Sequence, residues 1–168
     1  MQDVVKSTGS STVGIFGNAE DEVTFLFKIP KMEINGSVFY GLRAGTIGNQ
    51  NSSIGSRLFD FGIVTLDYIH SLFYFEPFKE VNEVNEKTFP IAPKISAGKL
   101  VVGVIWDTSL ENQISVGDQI LSIDDIDYTK LSICDLIKNG GKFKDKDQIT
   151  LRVKNSHGDV KQITIERK

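Results

Sequence analysis

The run Val116-Gly117-Asp118-Gln119-Ile120-Leu121-Ser122-Ile123-Asp124 follows an apolar stretch, Leu100-Val101-Val102-Gly103-Val104-Ile105, after a short connection. Gly117 reaches positive φ without a Cβ penalty, and the Asp118 side chain can bond the backbone just ahead of it. The pair predicts a tight turn leading from one strand toward another in the same sheet.

The same punctuation recurs along the chain. Strand-like stretches, rich in β-branched and aromatic residues and bounded by Gly, Pro, Asn or Ser, lie at 23–29, 37–42, 62–68 and 72–75. Ile34-Asn35-Gly36 is a hairpin signal, and Tyr68-Ile69-His70-Ser71 has the length to join the pair at 62–75. Only 52–59 reads as briefly helical, capped by Ser52 or Ser53. Residues 76–94 are polar and hold three prolines, which marks a boundary, with the linker placed at 79–88. Beyond it come a hairpin around Ala97-Gly98-Lys99, strands at 100–106 and 119–124, and a short helix. Ser132 with Asp135 caps that helix and Asn139-Gly140 ends it. Strands at 148–154 and 160–166 close the chain, joined by Ser156-His157-Gly158-Asp159. The expected class is mainly β with short helices, in two domains.

Composition narrows the chemistry. A net charge of −3 over 168 residues gives no reason to expect nucleic acid or an anionic membrane as partner. Residues 1–78 hold five basic and eight acidic side chains, whereas 79–168 balance at fourteen each, which implies two separate surfaces. One cysteine excludes an internal disulfide and a cysteine-based metal site, and its apolar context predicts a buried, inert thiol. His70 and His157 fall in turn-like contexts and read as surface residues without a second ligand nearby, so neither metal nor cofactor is expected. No apolar run approaches the roughly 20 residues needed to span a bilayer. Met1 opens a polar stretch without a signal-peptide pattern, so the chain is either cytoplasmic or begins downstream of the natural start.

Over residues 89–168, the order of strands, the Gly117-Asp118-x-Ile120-Leu121-x-Ile123-Asp124 motif and the short helix resemble a PDZ domain of the bacterial type. The resemblance implies a β-barrel or sandwich that grips an extended peptide as an added strand. It places the ligand between Phe89, Pro90, Ile91, Ala92 and Ile95 on one side and Ile133, Leu136 and Ile137 of the helix on the other. Two departures stand out. The loop that donates N–H groups to a C-terminal carboxylate in the family corresponds to Phe89-Pro90-Ile91, where Pro90 has none to give, and Pro93 removes another from the edge strand. Asp124-Asp125 replaces the usual Asn-Gly. Weak or absent affinity for free C-terminal peptides is expected.

Residues 53–78 carry a second resemblance, to the end of a retropepsin-like aspartic protease lobe. Ser53-Ile54-Gly55 fills an apolar-apolar-Gly slot with Ser53 a departure, Leu58-Phe59 the helix, Val64 to Tyr68 a strand, and Leu72 to Pro77 the closing strand. Ile54 and Gly55, like Gly117 and Asp118, are then structural motif residues. Aspartic proteases need two Asp-Thr/Ser-Gly loops, so that two close carboxylates share a proton and split the roles of acid and base. Residues 1–78 contain no such triplet, so no catalytic residue is assigned. Asp107-Thr108-Ser109 imitates one but has Ser109 where Gly is required, and Asp107 reads as a loop residue. Asp60 and Asp67 read as surface and turn carboxylates.

The two resemblances join as a partial retropepsin-like lobe (1–78), a linker (79–88) and a PDZ-like domain (89–168). That arrangement occurs among bacterial aspartyl-protease-family proteins, where export to the periplasm or envelope is common. The expectation is the C-terminal portion of such a peptidase, inactive alone, with a peptide or protein as ligand. The alternative is a complete, non-catalytic scaffold. A truncated lobe should leave Phe25, Phe27, Phe39, Phe61, Phe73 and Phe75 partly uncovered and invite self-association.

Overall fold

The structure, a computed structural model, describes residues 1–11, 13–14, 17–18, 20–46, 52–132, 134–135 and 146–168. It is mainly β, and the chain divides into two compact units: residues 1–5 with 25–86, and residues 6–24 with 87–168.

A four-stranded sheet, β5 and β8 of which lie wholly in the first unit, has the order β1-β4-β5-β8, with β1 at Gln2–Gly9, β4 at Glu22–Ile34, β5 at Ser37–Gly45 and β8 at Val81–Glu83. β4 and β5 form one long antiparallel hairpin, turned by Asn35 and Gly36 at φ 46° and 80°. Two successive positive φ values match the right-handed twist of the flanking strands, and Asn and Gly tolerate them best. The Asn35 amide also donates to the Phe75 carbonyl at 2.7 Å. β8 lies parallel to β5, and the buried Ser37 hydroxyl ties the two by donating to Lys79 O (2.8 Å) while accepting from the Asn82 amide (2.9 Å). A separate hairpin pairs β6 (Gly62–Asp67) with β7 (Leu72–Pro77), preceded by a 3-10 turn at Ser56–Asp60. The core here is small: Phe39, Leu58 and Phe75 are buried, and Phe61 meets Phe39 edge-on at 5.4 Å.

Residues 79–88, expected as a linker, carry β8 and contribute up to Glu86 to this unit. Neither β1 nor β8 was anticipated. β1 is polar and largely exposed, so no apolar pattern marks it. The expectation of uncovered aromatics holds for Phe25 (36% exposed) and Phe73 (51%) but fails for Phe39 and Phe75, both 1% exposed. Phe39 meets both Phe75 and, edge-on, Phe61, so the unit seals part of its own core.

The second unit is built on an antiparallel sheet ordered β14-β13-β11-β10-β9, with β12 beside β11. The strands are β9 (Ile91–Ser96), β10 (Lys99–Ile105), β11 (Gln119–Ile123), β12 (Ile126–Asp127), β13 (Gln148–Lys154) and β14 (Val160–Glu166). Strict alternation along β13 and β14 buries Ile149, Leu151, Val153, Ile163 and Ile165 while their neighbours face water. Val102, Ile114 and Ile120 complete the centre of this core. Residues 6–24 add a two-residue ribbon, β2 (Val13–Gly14) with β3 (Gly17–Asn18).

Among the described residues both larger sheets are open, so the barrel closure implied by the resemblances is not formed by them. The predicted helix after Ser132 lies mostly outside the described residues. Its start is described: Asp135 N–H donates to Ser132 Oγ at 3.2 Å, and the Ser132 hydroxyl donates back to the Asp135 carboxylate at 2.6 Å. That reciprocal cap is the one its sequence encodes. Cys134, expected to be buried, is exposed on this first turn.

Candidate peptide-binding edge

β9 is the last strand of its sheet, and its backbone register decides what it offers. Pro90 O accepts from Trp106 N at 2.7 Å, and Ser96 pairs with Lys99 across the Ala97-Gly98 hairpin, whose φ values are 48° and 73°. Backbone groups alternate along a strand, so Ala92 and Lys94 also turn toward β10. Ile91, Pro93 and Ile95 therefore turn outward. Proline in a sheet belongs where its missing N–H would face solvent, and Pro93 sits at such a position. The outward side of β9, which β3 (Gly17–Asn18) approaches, thus presents three carbonyls but only two donors, Ile91 N–H and Ile95 N–H.

The side chains of the expected contact residues are mostly committed elsewhere. Ile91 is 7% exposed and belongs to the core, Pro90 is buried, and Phe89 and Ile95 pack against the same core. The Arg167 guanidinium lies 4.8 Å from the centre of the Phe89 ring. Ala92 is half-buried, and Lys94 pairs with Asp21. Ile133, Leu136 and Ile137 lie outside the described residues. β9 accordingly offers main chain more than pockets.

The Gly117-Asp118 turn has a definite structural job. Gly117 takes φ 94°, its N–H bonds Val102 O at 2.8 Å, and Val102 N–H bonds Asp118 O at 2.8 Å. The buried Asp118 carboxylate accepts from Ser115 N at 2.9 Å. This clamp fastens the turn to the middle of β10, and β10 in turn carries β9. Asp124 adopts φ 50° and accepts from Thr150 N (2.7 Å) and Lys146 Nζ (2.6 Å). The Lys146 contact, then the Thr150 N–H, hold its carboxyl below the usual carboxylate range.

Asp107 caps the 3-10 turn Thr108–Leu110, accepting from Ser109 N (3.0 Å) and Ser109 Oγ (2.7 Å). Its second oxygen pairs with Lys168. The lysine contact first, then Ser109, lower its pKa to about 2. A carboxyl lowered on folding stabilises the fold above its unfolded pKa and loses that contribution as pH falls toward 2. A lone carboxylate neutralised by a lysine is a capping group, as its loop position implied. Asp67 is likewise a turn residue, bonding Ile69 N and His70 N at 3.0 Å each. Among the described residues no cluster of three or more His, Cys, Asp or Glu forms a metal site, and no helix is long and apolar enough to cross a membrane.

In the first unit, Gly55 begins the turn that carries Leu58, and Gly55 O accepts Leu58 N at 3.1 Å. Ile54, 57% exposed, borders an apolar cleft of about 270 Å³ with Ile29, Met32, Phe39, Leu42 and Phe61. Arg57 and Glu86 pair at its margin. The sequence did not announce this cleft, because its walls come from β4, β5 and the 3-10 turn, which only folding assembles.

No family model, curated protein or solved structure matches this chain.

Proposed function

We propose that this chain is the C-terminal portion of a retropepsin-like aspartic peptidase, and that its second unit holds an extended peptide as an added strand along β9. The observation that carries the binding half is the outward-turned backbone of Ile91, Pro93 and Ile95 at the end of a sheet. The peptidase half rests on element order: a long hairpin, Ile54-Gly55, a short turn bearing Leu58, then the β6–β7 hairpin. Closure of either sheet into a barrel, and the PDZ identity of the second unit, belong to this proposal. Within it, β9 positions substrate, and the catalytic carboxylates come from Asp-Thr/Ser-Gly loops that these 168 residues do not contain.

Because Pro90 and Pro93 each lack a donor, internal extended segments are favoured over C-terminal carboxylates. The test is an NMR titration of the isotope-labelled chain with an end-blocked, Val/Thr-rich peptide and with its free-carboxylate twin. The amides of Ile91 and Ile95 should shift, those of Ala92 and Lys94 should not, and the free carboxylate should add nothing. Low-micromolar binding that depends on the carboxylate would sink this reading, as would saturable shifts that avoid β9.

The polypeptide alone should show no acid-stimulated, pepstatin-sensitive cleavage of an unfolded protein substrate. Detecting such cleavage would overturn the view that the aspartyl loops lie elsewhere. The alternative, a non-catalytic peptide-binding scaffold, shares the β9 prediction and differs only in having no peptidase partner segment.

A further inference from the structure

The Asn35-Gly36 turn joins two anchored residues. Ile34 packs against the core of Phe39, Leu58 and Phe75, and the buried Ser37 is bonded to Lys79 O and to the Asn82 amide. Ile34 and Ser37 face each other across the ladder, which fixes the loop between them at two residues. The turn itself is exposed, and a Cβ built on Gly36 would meet nothing within 4 Å. The Asn35 side chain is nevertheless tied down. Its Nδ2 donates to Phe75 O at 2.7 Å, which fastens the hairpin tip to β7.

We propose that Asn35 is a modification site, deamidated through a cyclic imide, and that the fold of the first unit gates the reaction. Gly36 has no side chain to shield its backbone nitrogen. That nitrogen gives up its proton to solvent and attacks Asn35 Cγ. The Cγ–Nδ2 bond breaks, and Nδ2 takes a proton from solvent and leaves as ammonia. Water then opens the ring at one of its two carbonyls. Opening at Cγ gives aspartate, and opening at the main-chain carbonyl gives isoaspartate, whose backbone runs through the side chain. In the folded unit the bond to Phe75 O holds the amide toward β7, so attack waits until the turn lifts away. The products cannot remake that bond. A carboxylate has no N–H to donate and sets a charge against the Phe75 carbonyl. Isoaspartate also lengthens a loop that its anchors fix at two residues. Each conversion thus loosens the unit that had protected the asparagine, and the change runs one way. This inference concerns the first unit and stands apart from the peptide reading of β9.

Prolonged incubation of the full chain in warm, mildly alkaline buffer, with and without denaturing urea, tests it. Peptide mass mapping with an isoaspartate assay reads conversion at Asn35. The site should convert in both solutions, about tenfold or more slowly in buffer, the ratio set by how rarely the turn opens. Phe75→Ala, which leaves the first unit unfolded, should bring the rate in buffer close to that in urea. Asn35→Asp reads the consequence separately. It should lower the melting temperature of the first unit and leave the Trp106 transition in place. Equal rates in the two solutions overturn the proposal, as does an Asn35 that never converts in buffer. So does an Asn35→Asp chain that melts like its parent.

Discussion

Phe75→Ala unfolds the first unit at temperatures where the second remains folded. Phe75 is 1% exposed, and among the described residues only Phe39 and Leu58 join it as buried members of that unit's core cluster. Its ring lies 6.3 Å from Phe39 and also fills the space over Gly62, where an added Cβ would fall 2.4 Å from it. Truncating a buried Phe costs about 3–5 kcal/mol through lost burial and a residual cavity. A whole domain has about 5–15 kcal/mol of stability, and a unit with so small a core belongs at the low end. Trp106, the one tryptophan, belongs to the second unit and serves as its probe, while far-ultraviolet circular dichroism sees both. Thermal unfolding of the variant should split into two steps by dichroism, with the Trp106 transition unmoved. If Trp106 fluorescence shifts together with the first step, the two units are one cooperative block and the expectation fails. Ile63→Ala, at a 55% exposed position of the same hairpin, should cost less than about 1 kcal/mol.

The second large effect is expected at Gly103→Ala. Gly103 is the extra residue where the β9–β10 register shifts between Val102 and Val104. A Cβ there would lie 2.2 Å from Ser10 O and 3.0 Å from Ala92 O, both backbone atoms. The two bonds that fasten residues 7–10 to β10 run past this point: Ser10 N to Gly103 O at 3.0 Å and Ser7 Oγ to Ile105 O at 2.6 Å. The cheapest relief is for residues 7–10 to leave. That forfeits both bonds, each worth about 1 kcal/mol net, and the whole change should cost about 2–3 kcal/mol. Hydrogen exchange should show the Ser10 amide deprotected while Val102 and Ile120 stay slow. Gly9→Ala approaches the same contact from the other side, with its Cβ 2.1 Å from Gly103 O, and should match it. If Ser10 keeps its protection in both variants, the segment is not held by this contact.

Where a feature depends on neighbours in the chain, the sequence determined it. Asn35-Gly36 forms a two-residue hairpin because both residues accept positive φ, and Ala97-Gly98 forms another in which Gly98 accepts it while Ala97 takes φ 48° against its own preference. Gly117-Asp118 makes its turn for the same local reason, and Ser132 with Asp135 caps as its spacing requires. Alternation in β13 and β14 was legible because one face of an antiparallel sheet is dry and the other wet. Of the candidate edge, the sequence marked the position of β9 and the cost of its two prolines.

Tertiary structure decided the rest. Nothing local distinguishes β1, a polar strand fixed by its pairing with β4, or foretells that residues 6–24 join the second unit. Whether an aromatic is covered was equally out of reach, since Phe73 and Phe75 have similar surroundings in sequence and share one face of one strand. Phe75 is buried because Phe39 arrives from elsewhere to meet it, whereas among the described residues Phe73 stays half-exposed. Local conformational preference is carried by each residue itself, whereas burial belongs to whichever distant residues close over it.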